Sequence, residues 1–150
     1  MSTMSPGRVG PALVFAVALT GRMVFSMDAD PRPTTQSTPA APSTPVTYTE
    51  EQAGRGAGVF TTVCVECHVR KDMSNADFRV KWNGRTAFDL FELIRTTMPD
   101  GSPGSLERAQ YVDVVAYIAK LNGVTAGTAA LADDDTAMKK QTLPLPPQHQ

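Results

Sequence analysis

Reactive side chains are scarce in this 150-residue chain: two cysteines, two histidines and one tryptophan. A disulfide framework is excluded, because Cys64 and Cys67 stand three positions apart and the loop they would close is too small to constrain the unfolded chain. Charge of one sign is lacking too. Fourteen Lys and Arg face 15 Asp and Glu, a net charge of −1, so no basic excess exists to neutralise a phosphate backbone. Nucleic acid is therefore not an expected partner. Long apolar runs are also missing. The best one, Val9 to Leu19, is too short for a comfortable membrane span, and Arg22 interrupts its extension.

That run does have a meaning. Arg8 ahead of it supplies a charged start, and the pattern is that of a secretory signal. Neither Met27-Asp28-Ala29 nor Ala16-Val17-Ala18 makes a clean cleavage site. Residues 1–29 are read as a signal peptide or an uncleaved N-terminal anchor. The protein is expected in the periplasm, touching a membrane only if that anchor is retained. Residues 30–47, chiefly "PRPTTQSTPAAPSTPVT", have hardly a large apolar side chain and read as an extended linker. Residues 124–150, with Asp133-Asp134-Asp135, Lys139-Lys140 and "PLPPQHQ", read as a flexible tail, and His149 within it is a poor ligand.

Residues 48–123 carry three helical signals and no strand signal of similar strength, so the domain is all-α. In the first, Thr49 and Gln52 read as a capping box, with Glu50 and Glu51 at the positive end of the helix dipole. Gly54, Gly56 and Gly58 lie inside that helix at a cost on the order of 1 kcal/mol each, which implies close approach of another backbone. In the second, Ala87, Leu90, Phe91, Ile94 and Met98 share a face, and Pro99 and Gly101 end the helix. The third is expected to start from an N-cap at Ser105 and stop at Asn122-Gly123, with Val112, Val115, Ala116 and Ala119 inward. So little core needs a supplement, and a large flat apolar cofactor would supply one.

The stretch "VCVECHV" holds both cysteines and His68. Cys-x-x-Cys-His is the attachment pattern of c-type haem: two thiols add across two vinyl groups of one porphyrin edge, and the adjacent imidazole reaches the iron. A zinc site would need a further ligand from Asp or Glu beside Cys64, Cys67 and His68. A thiol-disulfide site would need a βαβ setting. Both remain as a non-haem alternative. For the second iron ligand Met98 is the best candidate, at the end of an amphipathic helix with a flexible thioether. Met23, Met27 and Met138 lie in the flanks, and Met73 follows the motif too closely.

With "CVECH", "GRTAFDLFELIRTTMPDGSPGSL" and "VVAYIAKLNG", the segment from Thr47 to Gly123 resembles a class I c-type cytochrome. It is similar to small bacterial monohaem cytochromes c and to the cytochrome domains that accompany quinoprotein dehydrogenases. The resemblance implies three main helices wrapped around one covalently bound haem c. The first and last would cross through Gly56 and Phe60 against Val114 and Tyr117. It implies Cys64 and Cys67 as the attachment residues, His68 as proximal and Met98 as distal iron ligand, and Trp82 and Arg85 near a haem propionate. It further implies an electron carrier with no catalytic residue. Its partners would be redox proteins: a dehydrogenase or respiratory donor, and an oxidase or other cytochrome as acceptor. An open iron site that binds ligands or reduces peroxide is the alternative within this class.

Two departures stand out. Val69 replaces the glycine that usually follows the ligand histidine, and "VRKDMSNADFRVKWNG" lacks the proline whose carbonyl orients that ring, so another carbonyl is expected there. The same loop sets Arg70, Lys71, Arg79, Lys81 and Arg85 against Asp72 and Asp77, which is either a docking face for an acidic partner or an ordinary solvated surface.

Overall fold

The structure, a computed structural model, describes residues 43–146. The signal or anchor segment and most of the linker lie outside the described residues. Five α-helices occur among the described residues: α1 (Glu50–Thr62), α2 (Ala76–Trp82), α3 (Ala87–Thr97), α4 (Arg108–Leu121) and α5 (Asp135–Lys139). Two strands of two residues, β1 (Thr44–Pro45) and β2 (Gln141–Thr142), pair in parallel. The helices α1, α3 and α4 are the three read from the sequence.

The crossing of α1 and α4 organises the core. A Cβ placed on Gly56 would lie 1.9 Å from the Asp113 carbonyl oxygen, so only glycine lets the two backbones meet there. One turn on, the Phe60 and Tyr117 rings pack at 5.5 Å between centroids. Beside them the Arg55 guanidinium donates to both carboxylate oxygens of Asp113, at 2.8 and 2.9 Å. A Cβ on Gly54 or Gly58 would meet no neighbour within 4 Å, so close approach explains one glycine of the three.

Helix starts follow the chemistry of their caps, with two changes. Thr49 accepts the Gln52 N–H at 3.2 Å, but the Gln52 amide does not complete a capping box. It exchanges two hydrogen bonds with the Leu131 backbone, at 2.7 and 3.0 Å. Helix α4 begins at Arg108 rather than just after Ser105, with the Glu107 N–H donating to Gln110 Oε1 at 3.0 Å. Helix α3 has the reciprocal arrangement: Asp89 N–H donates to Thr86, and Thr86 N–H to Asp89.

The flexible tail expected over 124–150 is corrected by the structure for residues 124–146. Asp134 caps α5 through the Ala137 N–H at 2.8 Å. Leu131, Met138, Leu143 and Leu145 are buried in the core. Leu143 donates to Arg85 and accepts from Gly84, both at 2.8 Å, and Leu145 donates to Asn83 Oδ1 at 2.9 Å. Arg108 holds Asp133 and Asp135. At the other end Val46 and Tyr48 are buried, so the last residues assigned to the linker also belong to the domain. The core therefore runs from Val46 to Leu145 rather than over 48–123, and its flanking leucines supply bulk that the three helices lack.

The glycine contacts separate two neighbouring substitutions. Gly56→Ala forces a methyl into the Asp113 carbonyl and is expected to destabilise the folded protein by about 1–3 kcal/mol. Gly54→Ala meets open space and is expected to stabilise it by up to about 1 kcal/mol through helix propensity. Guanidinium unfolding midpoints of the two variants, shifting in opposite directions, check the crossing.

Candidate functional site

Helix α1 ends at Thr62, and the chain then closes one tight turn. The N–H groups of Cys67 and His68 both donate to the Cys64 carbonyl, at 3.2 and 2.9 Å. That turn brings the two thiols and the imidazole together at the end of α1. Cys64 is half-buried and Cys67 exposed. Burial pushes the Cys64 thiol above its ordinary pKa. All three residues line one wall of a cleft of about 680 Å³.

Met98 lines the same cleft from the far end of α3, where it is the C-cap. Its N–H donates to Ile94 at 2.8 Å, and its carbonyl accepts from the Tyr111 hydroxyl at 2.9 Å. The same buried hydroxyl accepts the Leu106 N–H at 3.3 Å. Tyr111 thus ties both ends of the 98–106 turn to α4. It escaped the sequence reading, although it falls four residues before Val115 and hence on the same helical face. Val114 and Ile118 of α4 and Leu90 and Ile94 of α3 make the remaining lining largely apolar.

Trp82, at the end of α2, is 3% exposed and lines the cleft. Arg85 does not line it. Its guanidinium stacks over the Trp82 ring at 4.7 Å from the centroid and approaches Asp89 at 3.7 Å, beside a smaller pocket. Lys81 does reach the cleft. Arg79 leaves the set of surface cations altogether: it is 5% exposed, donating to the carbonyls of Ser74 and Asn122 at 3.3 and 3.0 Å. No carboxylate is needed there, since the guanidinium sits at the negative end of the α4 dipole. Asn122 completes the tie by donating to Met73 at 2.7 Å.

The donor set is thus two thiols and an imidazole on one wall, a thioether on another, and apolar surface between. It fits a large planar metal complex held through its edge and its metal. Bare metal is not so served: among the described residues no three His, Cys, Asp or Glu are grouped as a metal site requires. Residues 51–118 match the family model described as cytochrome C oxidase, cbb3-type, subunit III. By that match residues 51–118 are a c-type cytochrome domain, consistent with class I. Its cofactor is haem c. No curated protein and no solved structure gives a significant match. Among the described residues, no helix of the cytochrome domain is long and apolar enough to cross a membrane.

Tyr111 supplies the test of the pocket's geometry. Tyr111→Phe removes two hydrogen bonds without changing shape and is expected to cost about 1–2 kcal/mol in a guanidinium titration. Amide exchange should accelerate at Leu106, while the amides of Cys67 and His68 keep their protection.

Proposed function

We propose that this cytochrome domain shuttles single electrons, with haem c held by Cys64 and Cys67 and its iron between His68 and Met98. The observation that carries the reading is the cleft, with the Cys64–His68 turn on one wall and Met98 on another. Bound haem supplies a reversible one-electron iron couple; the chain's own residues set how readily it is used. The Met98 thioether favours the reduced state and raises the potential. Leu90, Ile94, Val114 and Ile118 line the cleft, would exclude water from the iron and would work in the same direction. Tyr111 holds the Met98 turn in place, so little reorganisation accompanies a change of oxidation state. Trp82, rather than Arg85, is the side chain suited to meet a propionate, through its indole N–H.

No residue of the cleft needs to move a proton or attack a substrate, which supports a carrier and not an enzyme. The donor would be a periplasmic dehydrogenase or a respiratory protein, the acceptor an oxidase or another cytochrome. Val65 and Val69 stand exposed on the attachment turn, with Arg70 and Lys71 beside them, and offer a mixed apolar and basic face to such a partner. The N-terminal signal reading supports export to the periplasm.

The test uses protein matured in a periplasm that attaches c-type haem. Its denatured mass should exceed the chain mass by one haem, and replacing Cys64 and Cys67 together by serine should abolish the gain. Met98→Ala should remove the thioether-to-iron charge-transfer band of the ferric protein and let the ferrous protein bind carbon monoxide. Carbon monoxide binding by the unmodified protein, unchanged in Met98→Ala, would instead establish an open iron site.

A further inference from the structure

We infer that Asp72 is the positioning residue for His68, its carboxylate taking the ring N–H that the family's loop proline carbonyl takes elsewhere. The inference rests on His68 as axial ligand and goes beyond it. Residues 69–82 contain no proline, so the family's usual carbonyl acceptor is missing from this loop. What the structure brings to the ring is a side chain: Asp72 Oδ2 lies 3.9 Å from His68 Nδ1, about 1 Å beyond hydrogen-bond length. That carboxylate is aimed and held. Oδ2 accepts the Val69 N–H at 2.9 Å, which folds the side chain back over the start of the 3₁₀ turn Arg70–Met73. Asp72 also lines the cleft. Among the described residues no Lys or Arg forms an ion pair with it, and Arg79 is committed to two carbonyls.

The consequence is electronic as well as steric. A ring that binds iron through Nε2 presents Nδ1–H on its opposite side, and the acceptor there fixes tautomer and orientation. A carboxylate draws that proton more strongly than a carbonyl does, so the imidazole becomes a stronger donor to iron. A stronger donor favours the oxidised metal. Asp72 therefore lowers the potential that Met98 raises.

Asp72→Asn is the deciding variant, because an amide oxygen can still accept the Val69 N–H while the charge is gone. Asp77→Asn is the control, since Asp77 lines the same cleft and reports the through-space effect of a lost charge. In holoprotein with unchanged haem content and thioether band, Asp72→Asn should raise the midpoint potential clearly more than Asp77→Asn does. The His68 Nδ1–H proton resonance of the reduced protein should move upfield and exchange faster with water. Equal potential shifts in the two variants, or an unmoved His68 resonance, would mean that Asp72 only caps the 3₁₀ turn. Should Asp72→Asn fail to mature, Asp72→Glu, which keeps the charge on a longer arm, is read in the same two measurements, and an unmoved resonance there overturns the inference. A wild-type His68 ring proton free of haem-induced shift would overturn the ligand reading itself, and this inference with it.

Discussion

The contact of Gly56 with the Asp113 carbonyl sets the separation of α1 from α4, and both walls of the cleft are referenced to that separation. Helix α1 delivers the Cys64–His68 turn as its direct continuation. Helix α4 holds the other parts at its two ends. Tyr111, near its start, grips the Met98 carbonyl; Asn122, at its end, grips the Met73 carbonyl and receives Arg79. Between those ends every residue from Tyr111 to Ala119 is buried, an arrangement available only to a helix surrounded on all sides. A side chain at residue 56 would push the two frames apart, and Cys64 would move relative to Met98 by the same step.

The domain solves its shortage of core in two ways. One is the cofactor, whose apolar faces meet side chains from α3 and α4 that otherwise border an open cleft. The other is a C-terminal segment that returns over α3 and closes on the chain's start through the β1–β2 pair. Its bonds to residues 83–86 brace the N-terminal end of α3, while Tyr111 braces the C-terminal end. Helix α3 carries Met98, so both braces act on the position of one thioether. As the proposed ligand at a helix end, Met98 would need such support, because helix termini fray.

How far the sequence disclosed this follows from how local each signal is. The attachment turn was legible because its chemistry demands fixed spacing within five residues. The α1–α4 crossing was legible at Gly56 and Phe60, whose functions are set by one partner helix. Gly54 and Gly58 looked the same in sequence and have no such partner, since glycine records permission for a contact and not the contact itself. The tail was misread because four apolar residues are spread thinly among charges, and burial of Leu131, Met138, Leu143 and Leu145 is decided by surfaces some 40 residues or more away in the chain. Helix α4 starts from Glu107 rather than Ser105, which belongs to the preceding turn, where its N–H donates to the Ser102 carbonyl at 3.2 Å. The acceptor for His68 was sought among carbonyls, whereas the structure brings the Asp72 carboxylate to 3.9 Å from its ring, which no backbone pattern announces.

With His68 and Met98 as the iron ligands proposed above, two side chains would act on the iron in opposite senses. Met98 would stabilise the reduced state, its effect shielded by an apolar wall. Asp72 would stabilise the oxidised state from a position nearer to water, since its side chain is about half exposed. A carboxylate so placed exerts less force than a buried one, since solvent screens it. On that reading the thioether would outweigh the carboxylate, and the potential would be trimmed from the exposed face. That face is also where Val65, Val69 and the basic residues stand, so a docked partner that excludes water there would strengthen the pull of Asp72 on His68. Docking and potential would then be coupled through one carboxylate, and a carrier bound by that face would release its electron more readily than a free one.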